Sequence, residues 1–450
     1  MKQTFFFYDL ETSGLSPRED RAMQFAGQRT DLELNPIGEP VDILIKLSED
    51  TLPNPGAIMV TKITPQKTLE EGITEAEFAQ KISEEIFTPD TIVVGFNNVR
   101  FDDEFIRHTF WRTFREPYEW QWKDGRSRWD ILDLVRMTRA LRPEGINWPF
   151  TDEGKPTNRL ELITKLNGVK HEHAHDALSD VFATIAVAKL IKDKQPDLYN
   201  YLFTMRDKKA VKKLVNLEDK KPFVYSSGRY GAHFNSTTVA FPLTTGRNGN
   251  ILVFDLRHNL DELLKDENCT FYPTVKEMYY NRCPAVAPLN VLTKADGWQK
   301  IGLSQAEIEK NLQSLLAHPE FAEKMRTKLE ERPEFPPAKD PESALYDGFL
   351  NDHDRIYCDA VRNATKNQLA DFHPDFNDER LPELLVHYKA RSFPETLSET
   401  EQKHWQLYKN ERLKRQAPKF LEELEKVAEQ DRFVAEELKL YFESLFDTDY

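Results

Sequence analysis

The stretch Phe5–Thr12, F-F-F-Y-D-L-E-T, drives two acids, Asp9 and Glu11, into the end of an aromatic run. Side chains alternate faces along a strand, so Asp9 and Glu11 point one way and Leu10 the other. Two carboxylates about 6 to 7 Å apart on one strand face, at roughly 3.3 Å per residue, repel each other unless something positive lies between them. A hard divalent cation meets that need. The plain alternative is a strand end whose acids face water, and the rest of the chain must decide between the two.

The chain has 450 residues, more than a single core usually supports, so two or three domains are expected. Its three cysteines, Cys269, Cys283 and Cys358, form no C-x-x-C pair. That argues against a disulfide framework or a thiolate zinc site and fits a reducing cytoplasm. The N-terminal aromatic run is broken by Asp9 and is too short for a signal-peptide core, and no later apolar run approaches about 18 residues. Neither export nor a membrane span is expected. The formal charge of −15 speaks against a nucleic-acid partner until its distribution is counted. Residues 101–250 carry 25 Lys+Arg against 20 Asp+Glu, whereas the remaining 300 carry 36 against 56. The middle of the chain is therefore able to face a polyanion while the outside keeps the protein dissolved, although the same bias also describes an ordinary solvated face.

Up to about Gln195 the pattern alternates strands, at 2–10, 21–34 (one strand or two), 41–47 and 91–96, with helices at 74–87, 102–114, 131–141 and 176–191, the last capped by Asp176. A mixed α/β layer domain is the natural reading. A basic run, Arg206 to Lys221, leads into short strands at 223–225, 237–243 and 251–256, the last two joined by the hairpin connection T-T-G-R-N-G-N. This reads as a small, mostly β second domain. The proline-rich stretch 332–341 is expected to run over the surface as a connection. From Ser343 the apolar spacing is helical, ending at 417–446, where Phe420, Leu421, Leu424, Val427 and Ala428 share one apolar face. The expected domains are 1–195, 196–340 and 341–450.

Three further groups join Asp9 and Glu11. Asp102 follows the 91–96 strand through G-F-N-N-V-R-F-D, at a strand-to-helix junction where open α/β sheets build sites, with Asp103 and Glu104 as decoys that spacing alone does not exclude. His175 and Asp180, in H-D-A-L-S-D, lie just before and about one turn into the 176–191 helix. Four carboxylates and one histidine supply what two-metal phosphodiester hydrolysis requires: oxygen ligands for Mg²⁺ or Mn²⁺ and a base that titrates near neutrality. H-x-H-x-H at His171, His173 and His175 also has the alternation of a zinc site.

F-Y-D-L-E-T, N-N-V-R-F-D and H-D-A-L-S-D resemble, in order and spacing, the three exonuclease motifs of the DEDD superfamily, in its variant with a histidine in the third motif. N-P-G-A-I-M-V-T-K-I-T-P-Q, S-R-W-D-I-L-D-L-V-R and A-L-R-P-E-G-I-N-W-P extend the likeness, and the chain resembles the bacterial exonuclease I family along essentially its whole length. The resemblance implies an α/β RNase H-like exonuclease domain, a small SH3-like β domain and an all-α C-terminal domain. It implies Asp9, Glu11, Asp102 and Asp180 as metal ligands, Asp9 between both ions and Glu11 near the terminal sugar, with His175 as general base. It also implies processive 3′-to-5′ degradation of single-stranded DNA to 5′-mononucleotides in repair and recombination, with Mg²⁺ as cofactor, and engagement of the single-strand DNA-binding protein. A monomer is expected.

Single-strand binders combine cations along the backbone with rings on which bases stack. Residues 107–148 hold that mixture, although each ring taken alone is a core candidate. Within the family-like segments Arg107, Tyr118, Trp122, Arg136 and Arg142 are the expected strand contacts, with Tyr201 and Lys221 extending the path. Arg159, in T-N-R-L-E-L, resembles the family arginine that meets the terminal nucleotide beside Glu11. Lys208 to Lys213 also suits a solvated helix face. An RNA-end exonuclease on the same catalytic frame and a non-catalytic binding module are the competing functions; the large appended domains speak against the first, and the complete set of five catalytic residues against the second.

Overall fold

The computed structural model describes residues 2–169, 176–265, 274–333 and 336–446. Its first sheet has five strands: β1 (Thr4–Thr12), β2 (Ala22–Thr30), β3 (Val41–Leu44), β4 (Thr91–Gly95) and β5 (Ser127–Asp130), in the spatial order β3-β2-β1-β4-β5. β1 runs antiparallel to β2 and parallel to β4, so it lies at the centre with both edges paired. Its alternation splits the core. Phe5 and Phe7 pack with the Ile131–Leu141 and Ala177–Lys194 helices, whereas Phe6, Tyr8 and Leu10 pack with Phe78, Phe105 and Ile106 on the other face. Asp9 and Glu11 continue the Phe5–Phe7 face, which aims them at the Ala177–Lys194 helix.

Local signals set most boundaries. Asp176 accepts a hydrogen bond from Ser179 N at 3.0 Å and starts the Ala177–Lys194 helix. Thr74 and Glu77 form a capping box on the Glu75–Lys81 helix, which runs on into a π turn at Ile82–Ile86. The sequence pattern missed β5. Its Trp129 is a core residue 2% exposed, packed near Phe5 and Tyr199, so a segment read for its rings and cations is instead an edge strand of the sheet.

The second sheet is antiparallel throughout, with β6 (Phe223–Ser226), β7 (Thr237–Thr245), β8 (Ile251–Asp255), β9 (Val275–Met278) and β10 (Ala285–Pro288) in the order β10-β6-β7-β8-β9. The expected hairpin joins β7 to β8, closed by Gly246 N donating to Asn250 O at 3.0 Å. This region is less purely β than its composition suggests: helices Gln305–Leu316 and Glu320–Glu330 pack on the sheet, with Phe321 edge-on to Phe254.

The connection after Arg332 is mostly exposed where described, with Ala338 and Asp340 half-buried, until Pro341, which is buried, opens a 3₁₀ turn and accepts at its carbonyl from Trp111 Nε1 at 2.8 Å. The C-terminal part is helical. Its last stretch is two helices, Glu399–Ala428 and Arg432–Leu445, the second capped by Asp431. Phe420 and Val427 are buried and Leu424 packs with them, but Leu421 and Ala428 face solvent. At about 100° per residue those two lie roughly 80–100° away from Phe420, outside the buried stripe. These helices close over Met23, Leu47 and Ile58 of the first domain, so the two share a core. No helix among the described residues is long and apolar enough to cross a membrane.

Candidate active site

Strand direction brings the acids together. Asp9, Glu11 and Asp180 present carboxylate oxygens that all lie within 4.8 Å of one another. Asp102, 4% exposed, begins the Asp102–Arg112 helix, which follows β4, the parallel neighbour of β1, after a 3₁₀ turn at Asn98–Arg100. Burial, then the charges of Asp102, Glu11 and Asp180, push Asp9 well above the usual carboxylate range. Burial and the neighbours Asp180, Asp102 and Asp176 push Glu11 up to about 8. Asp102 rises to about 8, through burial first and Asp103 second, although a hydrogen bond with the Leu10 backbone pulls the other way. Carboxylates crowded in this way are held neutral by protons or neutralised by a cation. An all-oxygen donor set of this kind suits a hard divalent ion that keeps water and substrate oxygens in its remaining positions.

The decoys are spent elsewhere. Asp103 is fully buried, accepts from Tyr8 Oη at 2.7 Å and from Asn98 Nδ2 at 3.1 Å, and pairs with Arg128. Glu104 accepts from Arg107 and from the Tyr346 hydroxyl. A further buried acid, Asp130 at the end of β5, caps the Ile131–Leu141 helix and accepts from Asn97 N at 2.9 Å. Burial and Asp133 push it up to about 7. His175 lies outside the described residues, as do His171 and His173.

The expected strand contacts fall into three groups. Trp122 is 65% exposed, and the side chains of Arg159 and Lys221 are 65% and 76% exposed. Arg159 pairs with its neighbour Glu161 at 2.5 Å. Tyr118 and Tyr201 are half-buried, and the Tyr201 hydroxyl has no hydrogen-bond partner among the described residues. Arg107, Arg136 and Arg142 are already engaged. Arg107 is 6% exposed, donates to Gln121 at 2.7 Å and sits over the Tyr118 ring. Arg136 donates to Asp133 at 2.5 Å, and Arg142 to the Val291 carbonyl at 3.2 Å. In the Lys208–Leu214 helix Val211 is buried and the four lysines are exposed. Phe349, 82% exposed and 5.9 Å from the Tyr118 ring, is a further exposed aromatic, with no sequence signal beyond its place in A-L-Y-D-G-F-L after the proline-rich connection.

Three family models match in chain order: an exonuclease model over 6–188, the exonuclease I SH3-like domain over 206–331 and the exonuclease I C-terminal domain over 339–445. Exodeoxyribonuclease I of Haemophilus influenzae is 41% identical over 457 residues, covering 97% of this chain and 96% of its own. Escherichia coli exonuclease I in complex with a dA16 oligonucleotide aligns with a TM-score of 0.94 and 37% identity, over 99% of this chain and 100% of that one. A structure of SSB/exonuclease I with the inhibitor CFAM aligns at 0.92 and 37%, again over 99% and 100%. The fold is thus an RNase H-like exonuclease domain, an SH3-like domain and a helical C-terminal domain. With likeness of this degree running through all three domains, the chain belongs to the exonuclease I family.

Proposed function

We propose that this protein degrades single-stranded DNA processively from the 3′ end to 5′-mononucleotides, with two Mg²⁺ ions that Mn²⁺ is able to replace. The observation that carries this reading is the cluster of half-buried, mutually repelling carboxylates at the end of β1. Asp9, Glu11, Asp102 and Asp180 would hold the ions, Asp9 between them. When bound, such ions activate water and offset charge developing on the phosphodiester. His175 takes the proton of the attacking water, in keeping with its motif and a reference pKa of about 6.5. Glu11 and Arg159 hold the terminal nucleotide, and Arg107, Tyr118, Trp122, Arg136, Arg142, Tyr201 and Lys221 lie along the path of the strand.

The relatives' names and complexes support single-stranded DNA as substrate and the single-strand DNA-binding protein as partner. We place the protein in the cytoplasm, as a monomer acting in repair and recombination, with domains at 1–195, 196–340 and 341–450. The test is degradation of single-stranded DNA labelled at either end, with Mg²⁺ or excess chelator. The 5′-labelled strand should pass to its short end product without a build-up of intermediates and the 3′ label should be released at once, both only with metal and not with Asp9→Ala. Undiminished activity in chelator, a preference for RNA, or cutting of a circular strand would overturn the reading.

A further inference from the structure

The loop that follows the metal-binding edge is closed on itself. Thr12 Oγ1 donates to Gly14 O at 2.7 Å, Ser13 N to Arg21 O at 2.8 Å, and Arg21 N to Ser13 Oγ at 2.9 Å. Asp20 accepts from Ser16 N at 2.8 Å, and a Cβ added to Gly14 would stand 2.4 Å from the Asp20 carboxylate. The β1–β2 register slips between Glu11 and Thr12: Glu11 faces Gln24, but Thr12 faces Ala22. The direction of Glu11 therefore depends on where β2 begins, and β2 begins directly after Arg21.

Arg21 is held by the third domain. Its side chain, 4% exposed, donates to Glu342 Oε2 at 2.6 Å and lies 3.8 Å from Asp50. Glu342 and Asp50, both fully buried, also take Arg391, and Arg412 reaches Asp50 at 3.2 Å and Asp340 at 3.1 Å. Three guanidiniums thus meet three carboxylates. Asp340, Glu342 and His387 have ligand-like spacing of their own, but the arginines occupy the carboxylates and leave no call for a cation. A second arm of the same cluster reaches the loop, where Arg412 donates to Glu19 O at 2.7 Å.

We propose that Glu342 is a positioning residue for the metal-binding edge: through Arg21 and the Ser13–Arg21 hydrogen bonds, the C-terminal domain sets the orientation of Glu11. The inference rests on the metal-binding reading above. Outer partners that orient a ligand typically account for roughly 10- to 100-fold in metal affinity. A buried ionic cluster in this place therefore does more than join domains.

The test is Mn²⁺ binding by calorimetry on the full chain, alongside kcat and KM on single-stranded DNA. Glu342→Gln should weaken Mn²⁺ binding about tenfold or more, lower kcat rather than raise KM, and regain activity at high Mn²⁺. Arg21→Gln with Glu342→Gln keeps the remaining charges balanced, so it should fold even where the single variant does not, and should show the same loss. Asp431→Asn breaks the exposed Lys62–Asp431 bridge, 2.5 Å, between the same two domains and should leave metal binding unchanged. Wild-type Mn²⁺ affinity in the folded double variant would overturn the inference, as would an equal loss in Asp431→Asn. Failure of the wild type itself to bind Mn²⁺, or undiminished binding by Asp9→Ala, would instead overturn the metal-binding reading.

Discussion

Tyr8 donates its hydroxyl proton to Asp103 at 2.7 Å, which turns Asp103 into the core while its neighbour Asp102 lies within electrostatic reach of Asp9. Arg128 completes the pair, and both side chains are buried. Asp103→Ala would leave that guanidinium without its charge partner, so it should cost about 3–5 kcal/mol of stability. Asp102→Ala should abolish activity without a comparable loss. Chemical denaturation of the two variants separates the roles, and equal stability losses would sink the assignment.

The pH dependence has a definite sign. Glu11 and Asp102 titrate near 8 in the folded, metal-free protein, and Asp9 is raised as well. Their unfolded values are about 4, so the folded state binds more protons across that window. Metal-free protein should therefore lose stability as pH rises from about 5 to 8. Saturating Mg²⁺ should flatten the trend, because only the folded state gathers the ligands. Thermal unfolding in chelator and in Mg²⁺ across this range is the measurement; a chelator Tm that climbs from pH 6 to 8 would contradict the cluster's charge state.

The same repulsion makes a loss-of-function variant more stable. Asp9→Asn removes a carboxyl whose charged form burial and the neighbours Asp102, Glu11 and Asp180 disfavour, so in chelator at pH 8 its Tm should exceed that of the wild type while its activity is lost. A lower Tm would show that Asp9 supports the fold.

Two tryptophans two residues apart should behave in opposite ways. Trp122→Ala should leave stability nearly unchanged, since the ring is 65% exposed, and weaken single-stranded DNA binding by about 1–3 kcal/mol if one base stacks on it. Trp120, 4% exposed and stacked on Phe87 at 5.2 Å, should cost about 3–5 kcal/mol of stability when cut to alanine. Anisotropy with labelled DNA in chelator, set beside denaturation curves, distinguishes them.

Arg159 offers a cleaner substrate test than the buried arginines. Its side chain is 65% exposed with Glu161 as its ion-pair partner, so Arg159→Ala should leave Tm in place and lower kcat/KM about tenfold or more through lost orientation of the terminal nucleotide. Unchanged kinetics would remove Arg159 from the site.

The strands were legible where alternation or an unbroken apolar run marked them, as in β1 and β4, and the Ile131–Leu141 helix falls on its expected bounds. β5 was not, because its four residues, S-R-W-D, carry too little pattern and their burial comes from Phe5, Tyr199 and Phe203 brought in from elsewhere. The helices of the second domain were hidden by the β signals before them. Among the acids, motif and spacing picked out Asp9, Glu11, Asp102 and Asp180, and the structure gathers Asp9, Glu11 and Asp180 while setting Asp102 within their electrostatic reach.

By itself the sequence determined which face of β1 carries the acids, since a two-residue period admits no other arrangement once Phe5 and Phe7 are buried. It also carried the family's three motifs in order. Only the tertiary structure separated Asp102, within electrostatic reach of Asp9, from Asp103, which Tyr8 of β1 and Arg128 of β5 engage in the core. It alone separated Trp122 from Trp120, and it alone joined Arg21 to Glu342 across 321 residues of chain. Spacing along a chain fixes neighbours on one element, whereas burial and pairing depend on which elements meet.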